Sequence, residues 1–252
     1  MIPSIITPAA LGKQTFNEGW ATFDHGPDQT AKDCHRWRTV LNGGSDVYSR
    51  HITGECYQAD EQFVHRPGTL IMQCNKVPAE KQAGVWGKKY AGAGINTKFS
   101  FSQLFGYFET LCRLPKGKGA YSAWWLLPTV GAWPKNGESD IFETTGDPRF
   151  IYCTVHSPTL KGGQMQKKVA LGFDGSASVH SYGIAWSADE LVWFVDRKEV
   201  FRTATPADMK AVPMFMLLTL GASHPWDNDR PDASTPWPIQ MPVYGVRAWE
   251  LG

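Results

Sequence analysis

Apolar residues fall along this chain in short runs, and polar or turn-forming residues interrupt each run before a helical repeat can build. The segments 68–73, 106–112, 150–156, 190–196 and 214–220 are rich in β-branched and aromatic residues. Gly, Pro, Asn and Asp separate them, which predicts strands bounded by turns. Long helical periodicity is absent, and only residues 205–211 are expected to form a short helix. The 25 glycines and 17 prolines are spread along the chain, so they mark many turns rather than one linker. Repeated short strands at this spacing predict an all-β sandwich or barrel. With no internal repeat or domain boundary visible, residues 13–252 are expected to form a single domain. Residues 1–12 are expected to form a loose N-terminal arm.

Length agrees with one domain, since all-β folds often run undivided to the 252 residues found here. Such a chain buries roughly three quarters of its unfolded surface and needs neither disulfides nor a metal to fold. The formal net charge is +1, and no Lys/Arg run marks a basic face, so no nucleic-acid partner is expected. No stretch of 18 apolar residues offers a membrane span. The N-terminus lacks a basic region and a long apolar run, so no signal peptide is read there. The five cysteines are odd in number and form no CxxC pair, which argues against a disulfide framework and a zinc ribbon. Several fall in strand-like runs and are expected to act as small buried hydrophobes. The 11 Trp, 8 Tyr and 13 Phe change the picture more. Many belong to the core. A Trp face also suits the apolar C–H face of a sugar ring, so a neutral, Trp-rich, all-β chain favours a carbohydrate ligand.

Candidate chemistry concentrates in Asn136-Gly-Glu138-Ser-Asp140-Ile-Phe-Glu143-Thr-Thr-Gly146. Side chains alternate along a strand, so Glu138 and Asp140 share a face while Glu143 would point away. A β-bulge at Ile141-Phe142 would restore Glu143 to the same face. The two glutamates then stand about four strand positions apart, near enough for inward-leaning carboxyls to approach the ~5–5.5 Å of a retaining glycosidase. Asp140 between them can hydrogen-bond one glutamate and push the titrations apart. Read alone, these acids fit a solvated face, a calcium site or a catalytic pair.

The flanking residues decide between these. Ala123-Trp-Trp-Leu-Leu-Pro128, Glu138-Ser-Asp140-Ile-Phe-Glu143, Thr154-Val-His156, His180-Ser-Tyr-Gly-Ile-Ala-Trp186, Val192-Trp-Phe-Val-Asp196 and Trp237-Pro-Ile-Gln-Met241 occur in order. Together they resemble glycoside hydrolase family sixteen, a group of laminarinases, lichenases, agarases, carrageenases and exopolysaccharide depolymerases. The resemblance covers about residues 60–250. It implies a jelly-roll sandwich of two antiparallel sheets with a concave substrate cleft. By the same resemblance Glu138 is the nucleophile, Glu143 the acid/base and Asp140 their support. Trp125, Trp133, His156, Tyr121, Trp226 and Trp237 are the expected substrate-binding residues. Leu111 stands where many members carry Arg, and Tyr121-Ser122 where many have Trp-Pro. Both are expected near the donor side of the cleft and leave the sugar open. Many members hold a structural calcium through an Asp near the closing strand; Tyr244 takes that place here, so no cofactor is expected.

These features imply endo-hydrolysis of a β-linked polysaccharide, a β-1,3- or mixed β-glucan or a bacterial exopolysaccharide. Transglycosylation is a close variant, and a non-catalytic lectin on the same scaffold is the alternative from another class. Fingerprints of serine hydrolases, zinc proteases and nucleotide-binding loops are missing. A monomer acting outside the cell or on a virion is expected.

Overall fold

The computed structural model describes residues 1–27, 30–40, 55–224 and 229–252, and the backbone of 51–53. Its described residues form 18 strands and three short 3-10 helices. Two antiparallel layers pack face to face as a jelly-roll sandwich. In the layer that carries the acids, Tyr90–Asn96, Met214–Ala222, Ala120–Pro128, Glu138–Thr144, Phe150–His156 and Gln164–Ala170 lie side by side in that order. In the other layer the long Ile239–Leu251 strand pairs on one edge with Thr69–Lys76 and Leu11–Glu18, and on the other with Gly106–Cys112. His180–Trp186, Glu190–Val195 and Lys198–Ala204 continue that layer.

The core lies between the layers and is aromatic. Trp20, Trp37, Trp124, Trp186, Trp193, Phe108, Phe142 and Tyr182 are fully buried there. Burial of such rings is the main driving term for a sandwich of this kind. Cys56, Cys74, Cys112 and Cys153 are free, buried and set in strands, as small hydrophobes. The helix expected over 205–211 is a single 3-10 turn, Ala207–Met209. No helix among the described residues is long and apolar enough to cross a membrane.

Two expectations need correction. The N-terminal arm is docked rather than loose. Ile2 and Ile6 are buried against Tyr107, Val192, Phe194 and Trp249 on the outer face of the second layer. The Ile6 amide donates to the Arg197 carbonyl at 2.9 Å, and Arg202 donates to the Ile2 carbonyl at 2.9 Å. Leu111 is not near the donor side of a cleft. Its strand belongs to the second layer, and it alternates outward with Tyr107 and Glu109, away from the core-facing Phe108 and Cys112.

Candidate active site

Pairing on both sides of Glu138–Thr144 locates the bulge. Glu138 faces His156 and Asp140 faces Thr154, but the next pair is Glu143 with Tyr152. Three steps on the acid strand therefore match two on its neighbour. On the opposite edge Trp124 pairs with Phe142 and Trp125 with Asp140, skipping Ile141. Ile141 and Phe142 both enter the core, and Phe142 meets Tyr182 edge-on at 5.1 Å between centroids. The extra residue thus turns three acids to one face while two hydrophobes anchor the other.

A bulge frees carbonyls from the ladder, and a buried carbonyl without a donor is costly. Core side chains supply the donors here. The Trp193 indole, from the opposite layer, donates to the Asp140 carbonyl at 2.8 Å. The Cys153 thiol donates to the Ile141 carbonyl at 3.5 Å. Entry to the strand is also fixed: Gly137 has φ +77°, and a Cβ there would lie 2.2 Å from Met209 Cγ, so only glycine fits.

The carboxyl cluster is electrostatically crowded. Burial pushes Glu138 up, the charge of Asp140 adds to this, and His156 and the Trp133 indole N–H oppose it. Asp140, 3% exposed, is pushed up by burial and then by the charge of Glu143. Glu143 is pushed up by burial against donors from Tyr121 and Thr154 and the pull of His156. A proton shared between the Glu138 and Asp140 carboxyls raises Glu138 and lowers Asp140. His156 Nε2 lies 3.2 Å from Asp140 Oδ2, within ion-pair range. Ligand atoms of Glu138, Asp140 and His156 lie within 4.8 Å of one another. Burial and mutual repulsion act together on these three carboxyls, so the cluster holds its protons to higher pH than isolated carboxyls would.

The other expected binding residues divide. Trp133 is 63% exposed on the loop before the acid strand, and its indole donates to Glu138 Oε2. Its ring lies 5.8 Å from that of His156. Trp125 is half-buried beside Leu127, Phe215 and Leu217, one pairing step from Asp140. Tyr121 donates its hydroxyl to Glu143 Oε1 at 3.2 Å. Trp237 does not stand free as a wall: it packs on the core, stacked on Tyr90 at 5.3 Å and 4°, with the Lys76 ammonium 5.3 Å from its centroid. Trp226 lies outside the described residues. Residues not singled out from sequence also enter the site. Thr154 donates to Glu143 Oε2 at 3.3 Å and accepts from Gln166 at 3.1 Å. Thr154 was reachable by alternation from His156, two residues on in the same strand. Gln166, Trp193 and His224, which covers Tyr121, carry no local signal.

Fold and acid cluster together define a jelly-roll protein built around a carboxylate site. The chain belongs to the glycosyl hydrolases family 16, whose model matches residues 58–238. It is 36% identical over 154 residues to the endo-1,3-1,4-beta-glycanase EglC of Rhizobium meliloti, covering 61% of this chain and 32% of that protein. It is 34% identical over 183 residues to the endo-1,3-1,4-beta-glycanase ExsH of the same organism, covering 72% and 38%. The chain thus spans about a third of the length of these relatives. The laminarinase catalytic domain of Thermotoga maritima superposes with a TM-score of 0.76 at 26% identity, over 94% of this chain and 98% of that one.

Proposed function

We propose that this chain hydrolyses internal linkages of a β-glucan, β-1,3 or mixed β-1,3-1,4, with net retention of configuration. The observation that carries the reading is the bulge register, which turns Glu138 and Glu143 to one face beside Asp140. The names of the relatives support the substrate class. In the first step Glu143 protonates the glycosidic oxygen while a Glu138 carboxylate oxygen attacks the anomeric carbon. The C–O bond to the leaving sugar breaks and a glycosyl ester forms on Glu138. In the second, Glu143 takes a proton from water, the water oxygen attacks the anomeric carbon, and Glu138 leaves as carboxylate. A proton shared between Glu138 and Asp140 favours protonated Glu138, so it passes to Asp140 to leave Glu138 ionised for attack. Trp133 and His156 favour ionised Glu138, as a nucleophile requires.

A reducing-sugar assay on β-1,3-glucan, mixed-linkage β-glucan and bacterial exopolysaccharides tests this. Wild type is expected to release reducing ends from the glucans, and Glu138→Gln to lose more than about 10³-fold in rate. If wild type and Glu138→Gln are equally inert on every polymer the protein binds, the chain is a lectin on this scaffold and the proposal fails.

A further inference from the structure

We propose that the Tyr121 hydroxyl positions Glu143 and sets the pH at which that carboxyl gives up its proton. This rests on Glu143 being the acid/base of the reaction proposed above.

Tyr121 sits on the strand next to the acid strand, where Ser122 pairs with Thr144 and Ala123 with Glu143. It is only 9% exposed. Its ring is stacked on His224 at 4.2 Å and 30°, so that face is closed to a sugar. The tyrosine instead turns a hydroxyl to Glu143 Oε1. The second oxygen, Oε2, is held by Thr154, whose own acceptor site is filled by Gln166. An ionised carboxylate only accepts, so the single proton of Thr154 goes to Glu143. Both oxygens of Glu143 are thus fixed by donors on the two flanking strands, and the carboxyl cannot swing.

Donors to a carboxylate favour its charged form. The phenol stays a donor because burial and the three acids push its own ionisation far up. Glu138 and Asp140 share the strand of Glu143. Tyr152, which pairs with Glu143, and His156 stand on the next one, with the Lys168 ammonium 5.4 Å from the Tyr152 ring. These groups are the same in wild type and in a Tyr121 variant. The Met214–Ala222 strand brings no ionisable side chain. His224, behind the tyrosine ring, is pushed down to about 4 by burial and by Arg230, so it stays neutral over the working range.

Removing the hydroxyl takes away a group that favours the carboxylate, so Glu143 should hold its proton to higher pH. The alkaline limb of kcat/KM, which reports the acid in the free enzyme, then moves up. For Tyr121→Phe we expect kcat down about tenfold and the limb up by roughly 0.5–1 pH unit. Thr154→Val, which acts on the other oxygen, should move the limb the same way, and it serves also if the tyrosine variant folds poorly. A lowered kcat with an unmoved limb would mean a merely structural tyrosine. A raised KM with an unmoved limb would mean a sugar contact. Either result overturns the proposal. An infrared titration without substrate separates this from the proposed function. The carboxyl component that Glu143→Gln removes should titrate higher in Tyr121→Phe than in wild type. If that component does not move, the Tyr121 assignment is wrong even in an active enzyme. If it moves while wild type cuts no polymer, the hydrolase reading fails and the Tyr121 assignment stands.

Discussion

Asp140 shows at the scale of one residue how catalysis and stability pull apart. Its carboxyl is almost fully buried and is pushed up by burial and by Glu143. Above the ordinary carboxylate range the unfolded chain releases this proton while the native protein retains it. The native state then binds more protons than the unfolded one, so this group's contribution to stability falls as pH rises. Asp140→Asn removes the penalty. Calorimetry should find the variant melting about 2–4 °C above wild type at pH 7 for each kcal/mol relieved, with the difference closing below about pH 3, where the carboxyl is protonated in both states. Activity should fall in the same variant. A melting point lowered at pH 7 would mean that the Asp140 charge stabilises the fold. The three acids were legible in the sequence because alternation plus one inserted residue suffices to align them. The contacts of Tyr121, Gln166 and His224 were not, because they depend on which strands lie beside the acid strand. The packing of Trp237 was hidden for a related reason: composition reports how many Trp a chain has, and only the fold decides how much of each ring faces outward.

At the scale of the element, the bulge is held from below. Ile141 and Phe142 anchor it in the core, and Trp193 reaches across from the opposite layer to satisfy the Asp140 carbonyl. Trp193→Phe keeps an aromatic ring but removes this N–H. The orphaned buried carbonyl should cost about 1–3 kcal/mol, read as a fall in melting temperature of about 2–4 °C per kcal/mol. The loss of activity should exceed what the stability change explains, because the carbonyl belongs to the residue between the two glutamates. Unchanged activity per folded molecule would show that the bulge needs no such support. The sequence pointed to a bulge at Ile141-Phe142. It gave no sign of what satisfies the bulge, since Trp193 stands some fifty positions further along the chain.

Across the whole molecule, one layer carries the chemistry and the other supports it. The docked N-terminal segment, the outward Leu111 and the closing Ile239–Leu251 strand all belong to the second layer. Strand runs and turn signals were enough to foresee an all-β sandwich or barrel, and the family resemblance narrowed this to a sandwich, whereas the docking of residues 1–12 was hidden because Ile2 and Ile6, the two isoleucines buried there, form no pattern in so short an arm. The central claim is that this scaffold sets Glu138 and Glu143 on one face for double displacement. The most direct measurement is proton NMR of the first product released from a β-glucan, recorded before mutarotation. The β anomer is expected first, with α appearing only later by mutarotation. An α anomer formed first would contradict it, because inversion needs the two carboxyls far enough apart to admit a water between them.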